Sequence, residues 1–219
     1  MKAVVFDFDG TLTQRHGNLW KKIWQTLGYD IGKSSYYMSL LKQFLDRKLT
    51  HSDWRKLTLK AYQDKGFNKQ VLDDLVSNIK LMQGVGEFFK YLNDKGVEIH
   101  IVSGNITSVI KRVLEQYLPY ITNIKANEFV FDNNGCLLDI VGTQYDHEGK
   151  ARYIQELCDY KEYKPSDIVF VGNSLNDEYV HLSGAKTICV NPDQTDFNNT
   201  LVWNKVIETN NLMDLVKEI

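Results

Sequence analysis

From residue 81 onward, short apolar runs and amphipathic runs take turns along the chain. "VEIHIVSGN", "SDIVFVGN" and "AKTICVN" read as strands. "GVGEFFKYLNDKG", "ITSVIKRVLEQYL", "EGKARYIQELCDY" and "SLNDEYVHLSG" read as helices. "ANEFVFDNNGCLLDIVG" reads as a hairpin turning at Asn134-Gly135. Buried strands separated by helices specify a parallel sheet covered on both faces. One more apolar strand, residues 2 to 8, opens the chain far from the rest. The stretch between them shows helical spacing and no strand pattern. Trp20, Ile23, Trp24 and Leu27 share one face, as do Tyr37, Leu40, Leu41, Phe44 and Leu45. A third helix is expected with Thr50 or Ser52 as its cap and Gly66 as its stop, and a fourth near 68 to 78. The expected fold is therefore α/β: a Rossmann-like parallel-sheet core from residues 1–14 and 81–219, with a small all-helical cap domain, 15–80, inserted after the first strand.

The totals agree with this picture. A chain of 219 residues can bury a full core, and 43% apolar with 25% charged residues is ordinary for a soluble globular protein. No apolar run approaches a membrane span, and acidic residues interrupt the N-terminal apolar stretch too early for a secretory signal. Cys136, Cys158 and Cys189 are odd in number and widely spaced, as expected of reduced thiols in a cytoplasmic protein. His16, His51, His100, His147 and His181 have no ligand spacing. The net charge of −2 hides an asymmetry. Residues 14 to 80 hold 13 Lys/Arg against 6 Asp and no Glu, while the remainder holds 13 against 22 Asp/Glu. A basic segment in an acidic chain either draws an anionic ligand or is a solvated lysine-rich face. No basic reader motif points to nucleic acid.

The chemistry concentrates in "VVFDFDGTLTQ". An apolar strand ending in Asp7 and Asp9 is costly, because carboxylates resist burial unless paired or bound to a cation. Alternation puts the two carboxylates on one side and Phe6 and Phe8 on the other. Three more polar clusters follow strands or open helices: Ser103-Gly104-Asn105, Gly149-Lys150, and Gly172-Asn173-Ser174-Leu175-Asn176-Asp177. In parallel α/β sheets, ligands bind beyond the carboxyl ends of the strands, where these clusters fall. Singly, each is equally a helix cap, a turn or a solvent-exposed lysine.

Taken together, "DFDGTLT", "IVSGN", the lysine of "GKARYI" and "VGNSLND" resemble the four motifs of the haloacid dehalogenase superfamily. The likeness is chiefly to its phosphatases with a helical cap after the first motif, including the phosphoserine phosphatases. The resemblance implies a Mg²⁺-dependent phosphatase acting on a small phosphorylated metabolite. It implies Asp7 as nucleophile and Asp9 as acid and base, Ser103, the Gly104 amide and Lys150 as phosphate ligands, and Asp7, Asp9, Asn173 and Asp177 as the metal set. Asn105 is expected to cap the following helix. Arg55 is a candidate substrate contact from the cap, and residues 14 to 18, with Arg15 and His16, and 79 to 84 are expected hinges. One position departs from the pattern: the family usually has Asp where Asn173 stands. Phosphoserine phosphatases also use a cap Glu soon after the first motif, and residues 14 to 80 have none. The alternatives are a phosphoserine phosphatase, and a catalytically impaired phosphate- or metabolite-binding protein.

Overall fold

The computed structural model describes residues 1–15, 18–193 and 202–219. Its strands are β1 Ala3–Phe6, β2 Glu98–Ile106, β3 Asn123–Phe131, β4 Leu137–Val141, β5 Ile168–Gly172, β6 Lys186–Val190 and β7 Lys205–Ile207. They are hydrogen-bonded in the order β4-β3-β2-β1-β5-β6-β7. β1 pairs in parallel with both β2 and β5, then β5 with β6 and β6 with β7. β3 and β4 form the antiparallel hairpin, with Gly135 at φ 79° in its turn. There the Asp132 carboxylate accepts from the Asn134 and Cys136 amides.

The central place of β1 explains its composition. Every residue of the strand is buried. Val4, Phe6 and Phe8 pack on one side with Phe88, Phe89 and Leu92 of α5 (Val85–Asp94). Ala3 and Val5 pack on the other with Tyr153, Ile154 and Leu157 of α7 (Glu148–Lys161). Asp7 has the parity of Val5, so it belongs to the side of α7. Its amide continues the ladder by donating to the Val171 carbonyl at 2.9 Å.

The chain divides into two compact units. Met1–His16, Lys80–Ala126 and Thr143–Ile219 form one, Gly17–Ile79 with Asn127–Gly142 the other. The second contains α1 (Leu19–Thr26), α2 (Tyr36–Leu45), α3 (His51–Asp64) and α4 (Lys69–Val76). Each starts on a side chain that accepts from its first turn: Asn18, Ser35, Thr50 and Asn68. Trp24 is fully buried, its ring 4.7 Å from Tyr29, 5.7 Å from Tyr37 and 5.6 Å from Tyr62.

The hairpin residues 127–142 cluster with these helices, although the sequence reading placed them with the core. Phe129 packs on Trp20 at 5.3 Å and on Phe67 at 5.5 Å. Gln63 donates to the Leu137 carbonyl at 3.0 Å, and the Lys69 amide to that of Gly135 at 2.8 Å. Periodicity shows that Phe129 and Phe131 share a face, but not which core receives it.

Other differences are local. The run after β2 forms α6 (Thr107–Val113) and then a 3₁₀ segment, Glu115–Tyr120, containing Pro119. Leu175–Ser183 is also 3₁₀. The sequence reading did not include β7, whose three residues, two of them exposed, carry no periodicity, or the short 3₁₀ segment Leu212–Lys217. Residues 12 to 14 and 80 to 82 are tied together. The Gln14 amide donates to Lys80 at 2.8 Å and the Met82 amide to Leu12 at 2.9 Å. Gly84, at φ 80°, starts α5. His16 lies outside the described residues.

Candidate active site

Parallel pairing aligns the carboxyl ends of β1, β2 and β5, and three of the polar clusters leave the sheet there. Asp7 follows β1 and is 3% exposed. The chain then turns through Gly10, at φ 73°. A Cβ at Gly10 would lie 2.3 Å from Asn173 Nδ2, so space as well as conformation requires glycine. Thr13 secures the turn: its hydroxyl accepts from the Gly10 amide at 3.1 Å and donates to the Phe8 carbonyl at 3.4 Å. Buried Thr11 donates to Asn173 Oδ1 at 3.4 Å, which links the first cluster to the last.

Lys150 comes from the first turn of α7 and is fully buried. Its ammonium donates to Asp7 Oδ1 at 2.8 Å and to Asp177 Oδ1 at 2.6 Å. Two features shape the entry to α7. His147 adopts φ 48°, a conformation costing about 1–3 kcal/mol that clusters at functional sites. A Cβ at Gly149 would lie 2.0 Å from the Gln144 carbonyl oxygen.

Asp177 is fully buried. Its Oδ2 accepts from the Asn173 and Ser174 amides at 2.9 and 3.1 Å. The sequence reading placed it in the metal set; the contacts the structure shows are to Lys150 through Oδ1 and to the amides that open the 3₁₀ segment through Oδ2.

On β2, Ser103 is 1% exposed and accepts from the Asn105 amide at 3.2 Å. Asn105 does not cap the following helix, whose N-cap is Ile106. Its Nδ2 instead donates to both carboxylate oxygens of Asp9, at 3.0 and 2.8 Å. β2 continues through Ile106, so Asn105 is still extended where a cap was expected. A Cβ at Gly104 would lie 2.6 Å from Asp146 Oδ2. Asp146 is a site residue the sequence reading missed; no motif marks a half-buried Asp in the irregular run before α7. It accepts from Asn176 at 3.1 Å and from the His147 amide at 3.0 Å. Arg55 lies on α3 of the helical unit.

The electrostatics show a shortage of positive charge. Burial pushes the Asp7 carboxyl up to about 7; the Asp177 and Asp9 carboxylates add to the rise, and Lys150 opposes it. Burial pushes Asp146 up as well, but Lys150, His147 and its hydrogen bonds outweigh that and hold it below the ordinary range. Burial would lower Lys150, yet Asp177, Asp7 and Asp146 keep it firmly protonated. Three carboxylates, Asp7, Asp146 and Asp177, thus act on one buried ammonium, and a fourth, Asp9, acts on Asp7. A cluster rich in oxygen donors and poor in cations fits a hard divalent cation. Among the described residues, no three His, Cys, Asp or Glu side chains form a ready-made metal cluster. Asn173 Oδ1 remains a possible oxygen donor, since Thr11 takes only one of its lone pairs.

A family model for haloacid dehalogenase-like hydrolases matches residues 4–178. The chain belongs to this family. Within it, a phosphoserine phosphatase of Archaeoglobus fulgidus is 25% identical over 177 residues, covering 80% of this chain and 48% of the relative. The chain thus spans about half the length of that relative. Among solved structures, a phosphoserine phosphatase in apo form superposes with a TM-score of 0.76 at 18% identity, covering 100% of this chain and 98% of the other. A phospho-aspartyl intermediate analogue of phosphoserine phosphatase gives 0.73 at 18% identity, with the same coverage. These structures share the α/β fold described above.

Proposed function

We propose that the chain hydrolyses a small phosphomonoester through an aspartyl-phosphate on Asp7. The observation that carries this reading is a buried carboxylate at the end of the central strand, bonded to a fully buried lysine, with a second carboxylate two residues on. Structural supports against solvent would not require Asp9, the strained His147 or the tight turn at Gly10.

Asp7 attacks phosphorus, and the ester P–O bond breaks as the Asp7–phosphorus bond forms. Asp9 gives its proton to the departing oxygen. It then takes a proton from water, whose oxygen attacks phosphorus and releases phosphate from Asp7. Ser103, the Gly104 amide and Lys150 hold the phosphoryl oxygens, with Lys150 opposing the charge that develops on them. Asp7, the Asp9 segment and Asn173 would hold Mg²⁺, and Asp177 acts by fixing Lys150. Bound Mg²⁺ supplies the charge that offsets repulsion between the carboxylates and a phosphate dianion.

We assign the substrate to small phosphorylated metabolites. The curated relative cited above is a phosphoserine phosphatase, but residues 14 to 80 here contain no Glu to meet an amino group. The helical unit is basic, which favours a more anionic substrate over phosphoserine. Arg55 is its candidate contact. Among the described residues no helix is long and apolar enough to cross a membrane, and all three cysteines are free, which supports a cytoplasmic enzyme.

The test is release of p-nitrophenol from p-nitrophenyl phosphate over a range of Mg²⁺, beside Asp7→Asn, followed by a metabolite panel. Activity requiring both Mg²⁺ and Asp7 is expected. No activity at any Mg²⁺ concentration, with Asn173→Asp restoring none, would reject it. The second reading, an impaired phosphate-binding protein, rests on Asn173 and predicts beryllofluoride binding without turnover. A clear preference for phosphoserine in the panel would overturn the argument from the missing Glu.

A further inference from the structure

We propose that Asn105 is a positioning residue for Asp9, holding its carboxylate in place through both halves of the proton-transfer cycle. The proposal deepens the phosphatase reading and rests on it. Asn105 is 1% exposed, and both ends of its amide are engaged. The Ile106 N–H donates to Oδ1 at 2.5 Å. A backbone donor must meet the oxygen, so the amide has one workable orientation. Nδ2 then faces Asp9 and reaches its two oxygens at 3.0 and 2.8 Å. The residues are 96 positions apart and meet because Asp9 follows β1 and Asn105 lies at the end of the adjacent parallel strand β2.

The geometry restricts Asp9. Two contacts from one amide nitrogen reach both carboxylate oxygens, and the amide is itself held at its oxygen by a backbone donor. Rotation of the Asp9 carboxylate away from the mouth of the site would break contacts that Asn105 cannot move to keep, so Asn105 fixes the orientation in which Asp9 meets the reacting oxygen.

A double-mutant cycle on the phosphoenzyme tests this. Wild type, Asn105→Ala, Asp9→Asn and the double variant are mixed with p-nitrophenyl phosphate and Mg²⁺. The p-nitrophenol burst reports Asp7 phosphorylation, and acid-trapped phosphoenzyme reports its decay. Because p-nitrophenolate departs without needing a proton, misplacing Asp9 should slow decay roughly 10- to 100-fold in Asn105→Ala, with the burst and KM changed less than about threefold. In the Asp9→Asn background, Asn105→Ala should change decay less than about twofold. Asn105→Asp, which keeps the shape and removes the donor, should lose at least as much as Asn105→Ala. Equal losses with and without Asp9, or a burst slowed as much as the decay, would show a merely structural residue and overturn the proposal. Retention of wild-type decay by Asn105→Asp would overturn it too, even if Asn105→Ala failed to fold. A wild type that releases neither nitrophenol nor phosphate would instead reject the phosphatase reading itself.

Discussion

Asp7→Asn should abolish turnover and yet make the metal-free protein more stable at alkaline pH. Burial is the main reason the Asp7 carboxyl stands at about 7 rather than its usual 3.8. A carboxyl whose folded value lies above its unfolded value takes up a proton on folding. Its ionised form then weighs against the fold, fully so above the folded value. The gap corresponds to roughly 4 kcal/mol at pH 8, at about 1.4 kcal/mol per pH unit. Asparagine removes that burden and keeps the shape. The attraction of Lys150, which keeps Asp177 at 2.6 Å, is already included in that gap. The gain should therefore approach roughly 4 kcal/mol, or about 8–16 °C for a chain of this length.

At pH 5 the folded protein already carries the proton, and the burden, with the gain from removing it, falls to about 1.6 kcal/mol. The assay is thermal or urea denaturation of both proteins in EDTA at pH 8 and pH 5. Added Mg²⁺ should then raise the wild type more than the variant, since a cation makes ionised Asp7 favourable. A variant no more stable at pH 8, or equally stabilised at both pH values, would refute the charge-shortage argument.

Lys150→Met should remove activity and cost about 3–5 kcal/mol near neutral pH, because two buried carboxylates lose their cation; urea titration would show it. That loss should shrink on acidification as the carboxyls become neutral. Asn173→Asp should lower the Mg²⁺ concentration for half-maximal activity about tenfold, since it adds a formal charge to the proposed metal set; an unchanged Mg²⁺ titration would remove Asn173 from that set. Gly10→Ala should destabilise by about 1–3 kcal/mol and depress kcat, because the new Cβ is strained at φ 73° and would displace the Asn173 amide; unchanged melting and kinetics would show that the turn relaxes freely.

Much of the molecule was legible before any coordinates. Alternation of apolar runs dictated parallel strands covered by helices, because backbone groups buried on both faces need sheet partners and apolar cover. The four helices of the second unit followed from 3.6-residue spacing and from caps such as Thr50. Asp7, Ser103, Lys150 and Asn173 were candidates through four short motifs that resemble those of haloacid dehalogenase-like hydrolases. These are local properties, set by residues a few positions apart.

Contacts between distant segments were not legible. The hairpin's Phe129 could have served either core, and only its packing on Trp20 and Phe67 assigned it to the helices. Nothing in the sequence showed that the Asp177 oxygens hold Lys150 and two amides. Asn105 looked like a helix cap, and Asp146 like a loop residue. Each owes its role to a partner that folding brings close: Asp9 for Asn105, Asn176 for Asp146. Periodicity determines which way a side chain points from its own segment, whereas the partner it finds there depends on how the segments are arranged in space.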